Sequence, residues 1–215
     1  MLAVLTVLTG GLAPGLIALT PGTASATSCG TAIVAGSTCT LTGTLGVTGS
    51  TLTLTSPSSL TWGETLNGLD QSIVDTTGGD QQYTVNDATG SGAGWKVTMA
   101  ATTFTNGSHT LPNTMTLSAN GSSSSITGTT APTAACGASA TCTLPTDNTT
   151  YPVAITTAAT SPTPSAIYDT SASTGLGQVV IGGSPAPVGW WLQVPASVYS
   201  GSYVSTVTLE VVSGP

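Results

Sequence analysis

The chain has 215 residues and a net charge of −7, with Lys96 as its single basic side chain and charged residues making up 4% of the total. That scarcity excludes nucleic acid as a partner, because gripping a phosphate backbone takes many Lys and Arg contacts. It also removes most tools of catalysis, so an enzyme is not expected.

Hydrophobic residues at 39% still supply a core. Ordinary proteins give about 25% of their residues to charge, and here Thr, Ser, Asn and Gly must fill those solvent-facing positions. Such a neutral surface repels copies of itself only weakly and tolerates close packing with them or with sugar polymers.

Residues 1–26 read as a secretory signal. Leu2 to Leu19 is mostly apolar, and Ala24-Ser25-Ala26 has the small-x-small form of a cleavage site. A membrane span is the competing reading, but Gly10, Gly11, Pro14 and Gly15 interrupt the run, and a span needs about 20 predominantly apolar residues. The usual basic n-region is missing. After cleavage no membrane span is expected, and an extracellular location is expected.

Residues 27–59 are expected to form an N-terminal hairpin or edge region, ahead of a β-sandwich over residues 60–215. Cysteine contexts repeat. Cys29-Gly30 leads to Cys39-Thr40-Leu41, and Cys136-Gly137 leads to Cys142-Thr143-Leu144. Local staples Cys29–Cys39 and Cys136–Cys142 are therefore expected, in an oxidising compartment. Metal binding is the alternative, but neither pair has C-x-x-C form and no nearby His completes a zinc site. No cofactor and no metal is expected.

Strands follow one another with turn signals between them. Thr51 to Thr55 alternates Thr and Leu, and Gln81 to Asn86 reads as a strand. Gly78-Gly79-Asp80 is a turn. Asp87 is placed to cap the Gly-rich turn Ala88 to Gly94 with its carboxylate. Trp95, Val97, Met99 and Ala101 then share one face, with Lys96, Thr98 and Ala100 on the other. Asn120 to Pro132 is a Ser/Gly/Thr tract, and Pro162 and Pro164 block strand continuation. In the last strand Tyr203, Val207, Leu209 and Val211 point one way, and Val204, Thr206, Thr208 and Glu210 the other. The expected fold class is all-β, an Ig-like antiparallel β-sandwich with local disulfide-stapled hairpins.

The run Asp87 to Val97, with Gly94-Trp95-Lys96-Val97 at its end, resembles the WxL-type surface domains of Gram-positive bacteria. Those domains place a strand, an Asp and a Gly-rich turn before Gly-Trp-x-Leu. Their closing strand is matched by Tyr203, Thr206, Thr208 and Pro215, and Trp191-Leu192-Gln193-Val194-Pro195-Ala196 looks like their penultimate strand. The resemblance spans roughly residues 60–215. It departs at Val97 and Val211, which stand for Leu, and at Leu209, which stands for the second motif's Trp. It implies non-covalent attachment to peptidoglycan or another wall polysaccharide, with other surface proteins or copies of the chain as further partners. A self-assembling filament or coat subunit and a carbohydrate-binding module are the alternative functions.

Candidate ligand-binding residues are Trp95, Trp190, Trp191 and Tyr203. Trp95 is weighed against a core role. Trp190 and Trp191 are neighbours on a strand and face opposite ways, so one is expected in the core and the other exposed, able to stack on a sugar ring. His109 lies in a turn with no Gly-x-Ser-x-Gly elbow in the chain, which makes it a loop histidine. Asp70, Asp75 and Asp80 are hard oxygen donors, weighed for calcium against solvated loops. Asn106, Asn120 and Asn148 head N-x-Ser/Thr sequons that fit exposed loops.

Overall fold

A strand that alternates buried and half-buried residues needs a second layer on its buried face. The clearest case runs from Trp95 to Ala101, where Trp95, Val97, Met99 and Ala101 are all fully buried while Lys96 and Thr98 are not. The computed structural model of the protein describes residues 27–30, 32, 34–111, 114–118 and 125–215. The expected signal, residues 1–26, and the Asn120 sequon lie outside the described residues. Two compact units divide between Gly46 and Val47. Among the described residues there is no helix, so none is long and apolar enough to cross a membrane.

The first unit contains β1 (Thr27–Ser28) and β2 (Cys39–Thr40), paired in parallel. The Cys29–Cys39 disulfide is formed. It does not staple the expected antiparallel hairpin. A hairpin closes with a loop of about two to five residues, whereas these cysteines are separated by 10, enough chain to return in the same direction.

The second unit is an all-β sandwich of antiparallel sheets. Its strands are β3 (Leu52–Thr55), β4 (Gln71–Val74), β5 (Tyr83–Asp87), β6 (Trp95–Ala101), β7 (Phe104–Thr105), β8 (Thr110–Leu111), β9 (Met115–Ser118), β10 (Thr133–Cys136), β11 (Val153–Ile155), β12 (Ser165–Asp169), β13 (Gly177–Gly183), β14 (Gly189–Val194) and β15 (Val207–Ser213). The sheet orders are β10-β13-β5-β3, β11-β9-β14-β4 and β12-β6-β15, with β7-β8 as a small hairpin. Leu52 and Leu54, which the sequence assigns to the N-terminal extension, pair with β5 and pack on the core of this unit.

The Gly-rich turn after β5 does not make a hairpin. β5 and β6 belong to different sheets, so the turn carries the chain from one layer to the other. Asp87 caps it as expected, accepting from the Thr89 amide at 3.0 Å and the Thr89 hydroxyl at 2.6 Å. Cys136 ends β10 and is bonded to Cys142 in the loop that follows. β10 itself pairs with β13, so this disulfide ties a strand to its own loop and not to a partner strand. The core gathers Tyr83, Val85, Trp95, Met99, Met115, Ile167, Val179 and Trp190 from the facing layers.

Candidate binding clefts

Three of the four expected ligand-binding aromatics are core residues. Trp95 is fully buried and stacks on Tyr168, with ring centroids 5.6 Å apart and planes 24° from parallel. Its indole donates to the Gly175 carbonyl at 2.9 Å. Thr170 brackets its backbone, the hydroxyl accepting from the Trp95 amide at 2.7 Å and donating to the Trp95 carbonyl at 2.8 Å.

Trp190 is also fully buried and donates to the Asp80 carbonyl at 2.6 Å. Trp191 is 5% exposed, so neither member of the pair is the expected exposed ring. The correction has a simple cause. β14 lies between β9 and β4, and Gly189 to Leu192 are all buried, so both faces of this strand are covered. Trp191 cannot offer a ring to a sugar in this arrangement.

Tyr203, the fourth, lines a groove of about 790 Å³. The groove is built from the segment before β4 (Leu60 to Leu66), Ile73 of β4, Phe104 of β7, Leu111 of β8, Leu192 and Val194 of β14, and the loop 198–205. Trp62 is pinned in its wall. Its indole donates to the Trp190 carbonyl at 2.8 Å, and its ring meets Phe104 edge-on at 5.7 Å. Glu64 is the one charged residue of the lining. The lining is mixed, with Trp62, Ile73, Phe104 and Leu192 beside the hydroxyls of Thr61, Thr65, Ser200, Ser202 and Ser205.

Beside the groove lies a second cleft of about 390 Å³, lined by Ser108, His109, Thr110, Leu111, Pro195, Ser197, Val198, Tyr199 and Tyr203. The β7–β8 turn fixes His109, because the Asn106 side-chain oxygen accepts from the His109 amide at 2.8 Å and from the Ser108 amide at 3.1 Å. Tyr199 lies flat against His109, with centroids 3.8 Å apart and planes at 11°. The Tyr203 hydroxyl donates to the Tyr199 carbonyl at 3.0 Å. Val204 and Thr105 exchange backbone hydrogen bonds at 2.9 and 3.0 Å and anchor the loop to β7. Tyr199 itself is 63% exposed. The cleft thus presents a supported aromatic ring among the neutral hydroxyls of Ser108, Thr110 and Ser197.

A half-buried polar centre sits elsewhere. Asp147 accepts from the Tyr151 hydroxyl at 2.8 Å, the Thr149 amide at 2.9 Å and the Asp169 amide at 3.2 Å. Burial, reinforced by negative charge at Asp147, pushes the phenols of Tyr83, Tyr151 and Tyr168 up from their ordinary range. A phenol held further from neutral pH is a poorer proton donor or base, so this centre fastens the core. Asp75 is likewise structural. It is buried, and its two carboxylate oxygens accept from the Thr61 amide at 2.7 Å and the Thr77 amide at 2.8 Å. The Asp70 carboxylate accepts from the Ala196 amide at 2.8 Å. Among the described residues no three metal-ligating side chains gather at one point.

Sequence reasoning missed Trp62 and Tyr199. Each is an aromatic isolated in a Ser/Gly/Thr-rich stretch without strand alternation, and that isolation is the only signal the sequence holds. No family model matches this chain, and no curated protein or solved structure is found similar to it.

Proposed function

We propose that this chain is a secreted, non-enzymatic surface protein that associates non-covalently with a neutral polysaccharide of the bacterial cell wall. One arrangement carries the reading: the exposed Tyr199 ring, backed by His109 and rimmed by hydroxyls. A sugar ring offers C–H groups to an aromatic face and hydroxyls to neutral donors and acceptors, and recognising it needs no cation. The formed disulfides fit an oxidising compartment, and the resemblance of Asp87 to Val97 to the WxL-type motif points the same way.

Retention on purified cell walls tests this. The protein is expected to co-sediment with walls, and to stay bound in high salt, since screening weakens charge pairs and leaves stacking intact. Tyr199→Ala removes the platform and is expected to lower wall affinity about fivefold, a loss of about 1 kcal/mol. Wall retention unchanged in Tyr199→Ala, or abolished by salt alone, overturns the assignment to this cleft.

A further inference from the structure

Residues 41–47, Leu41-Thr42-Gly43-Thr44-Leu45-Gly46-Val47, alternate apolar with small or hydroxylated residues. In an extended chain that two-residue period puts Leu41, Leu45 and Val47 on one side. These three are 84%, 88% and 84% exposed. Among the described residues no strand pairs with this run. A row of large apolar side chains in water is a surface that soluble monomers rarely keep uncovered.

The apolar side chains in the mixed lining of the second unit's groove are the chemical complement. Trp62, Leu66, Ile73, Phe104, Leu192 and Val204 line it. It borders β4, the last strand of its sheet, whose outer side pairs with no strand among the described residues. An edge strand offers unpaired N–H and C=O groups to an incoming strand, and pockets beside it take alternate side chains. Residues 27–63 hold no charged side chain, and Glu64 is the one charge in the groove, so no like charges oppose the contact.

We infer that residues 41–47 of one copy of this chain dock as a donated strand in the groove beside β4 of a second copy. Leu41, Leu45 and Val47 fill the groove, and each copy offers both an arm and an acceptor. The association runs head to tail.

Complementing variants test this in sedimentation velocity. The wild-type protein is expected to gain mass with concentration. Leu45→Asp spoils the arm and Leu66→Asp spoils the groove. Both positions are solvent-exposed, and each variant alone is expected to self-associate more than about tenfold more weakly, the equivalent of one buried leucine. Mixed in equal amounts, they are expected to form a heterodimer and stop there, since only one intact arm meets one intact groove. A photo-crosslinking residue at position 45, in a mixture of light and heavy isotope-labelled protein, is expected to join light to heavy chains at residues 60–66 or 198–205.

A wild type that stays monomeric at every concentration overturns the inference, as does a variant that associates like wild type. Cross-links confined to one copy do the same. Wall retention measured on Leu45→Asp keeps the two proposals apart, because Leu45 is not among the residues lining the Tyr199 cleft and the substitution is expected to leave retention unchanged.

Discussion

The Trp95 indole donates to the Gly175 carbonyl at 2.9 Å, and the ring packs so close that a Cβ on Gly175 would lie 2.6 Å from the indole nitrogen. Gly175 also has φ +73°, a left-handed conformation that costs other residues about 1 to 2 kcal/mol. Gly94, with φ +76°, meets the Thr170 carbonyl in the same way at 2.9 Å. The tryptophan of the Gly-Trp motif therefore sits in a niche of two glycines and one threonine, and its conspicuous place in the sequence is explained by packing. Gly175→Ala combines backbone strain with overpacking and is expected to destabilise the fold by about 3 kcal/mol. In a thermal melt that lowers the midpoint by about 6 to 12 °C. A shift below about 2 °C, less than one kcal/mol at this chain length, means that Trp95 moves aside freely and that the niche is loose.

At the scale of elements, β10 is the last strand of its sheet, and the Cys136–Cys142 disulfide ties its end to the following loop. Closing a loop this short stabilises by about 2 kcal/mol through the unfolded chain. Replacing both cysteines with Ser is expected to lower the melting midpoint by about 4 to 8 °C. Hydrogen exchange at Ala134 and Ala135 should quicken before exchange at Ile181 and Val180, their partners on β13. Equal acceleration on both strands means that the sheet opens as one unit.

What the sequence made legible at this scale was alternation. Trp95 to Ala101 and Tyr83 to Asp87 could be read because their inward and outward residues differ in chemistry. Partners could not be read, because the main sheets join strands far apart in the chain, such as β6 with β15 and β5 with β13. Trp190 and Trp191 show the limit. Neighbours on a strand do face opposite ways, but one is exposed only if one face of the sheet is bare, and β14 is covered on both. Tyr199 and Trp62 carry the clefts from segments without period, where sequence patterning has nothing to say about neighbours.

Across the whole molecule, the buried phenols tie stability to alkaline pH. Free tyrosine ionises near pH 10. Tyr83, Tyr151 and Tyr168 are raised above that, first by burial and then by neighbouring negative charge, Asp147 included. A group whose folded value is raised contributes stability that is fully present below its unfolded value and is lost as pH climbs towards the folded one. The window therefore opens at about pH 10 and extends upward, with no contribution from these groups to any change at neutral or acid pH. Each withheld ionisation costs about 1.4 kcal/mol per pH unit, so the three together cost about 4. Against a typical reserve of 5 to 15 kcal/mol, that exhausts stability roughly one to four pH units above 10. Tyr83, Tyr151 and Tyr168 are accordingly expected to give their tyrosinate absorption only in the same step that abolishes the β-sheet circular dichroism signal. Tyr151→Phe is expected to weaken the fold at neutral pH, because the Asp147 carboxylate loses the hydroxyl it accepts at 2.8 Å. It should also make the alkaline decline about one third shallower in denaturant melts taken at successive pH. Ionisation of Tyr83, Tyr151 and Tyr168 while the sheet signal persists means that water reaches these phenols in the folded protein, and the pH coupling then disappears.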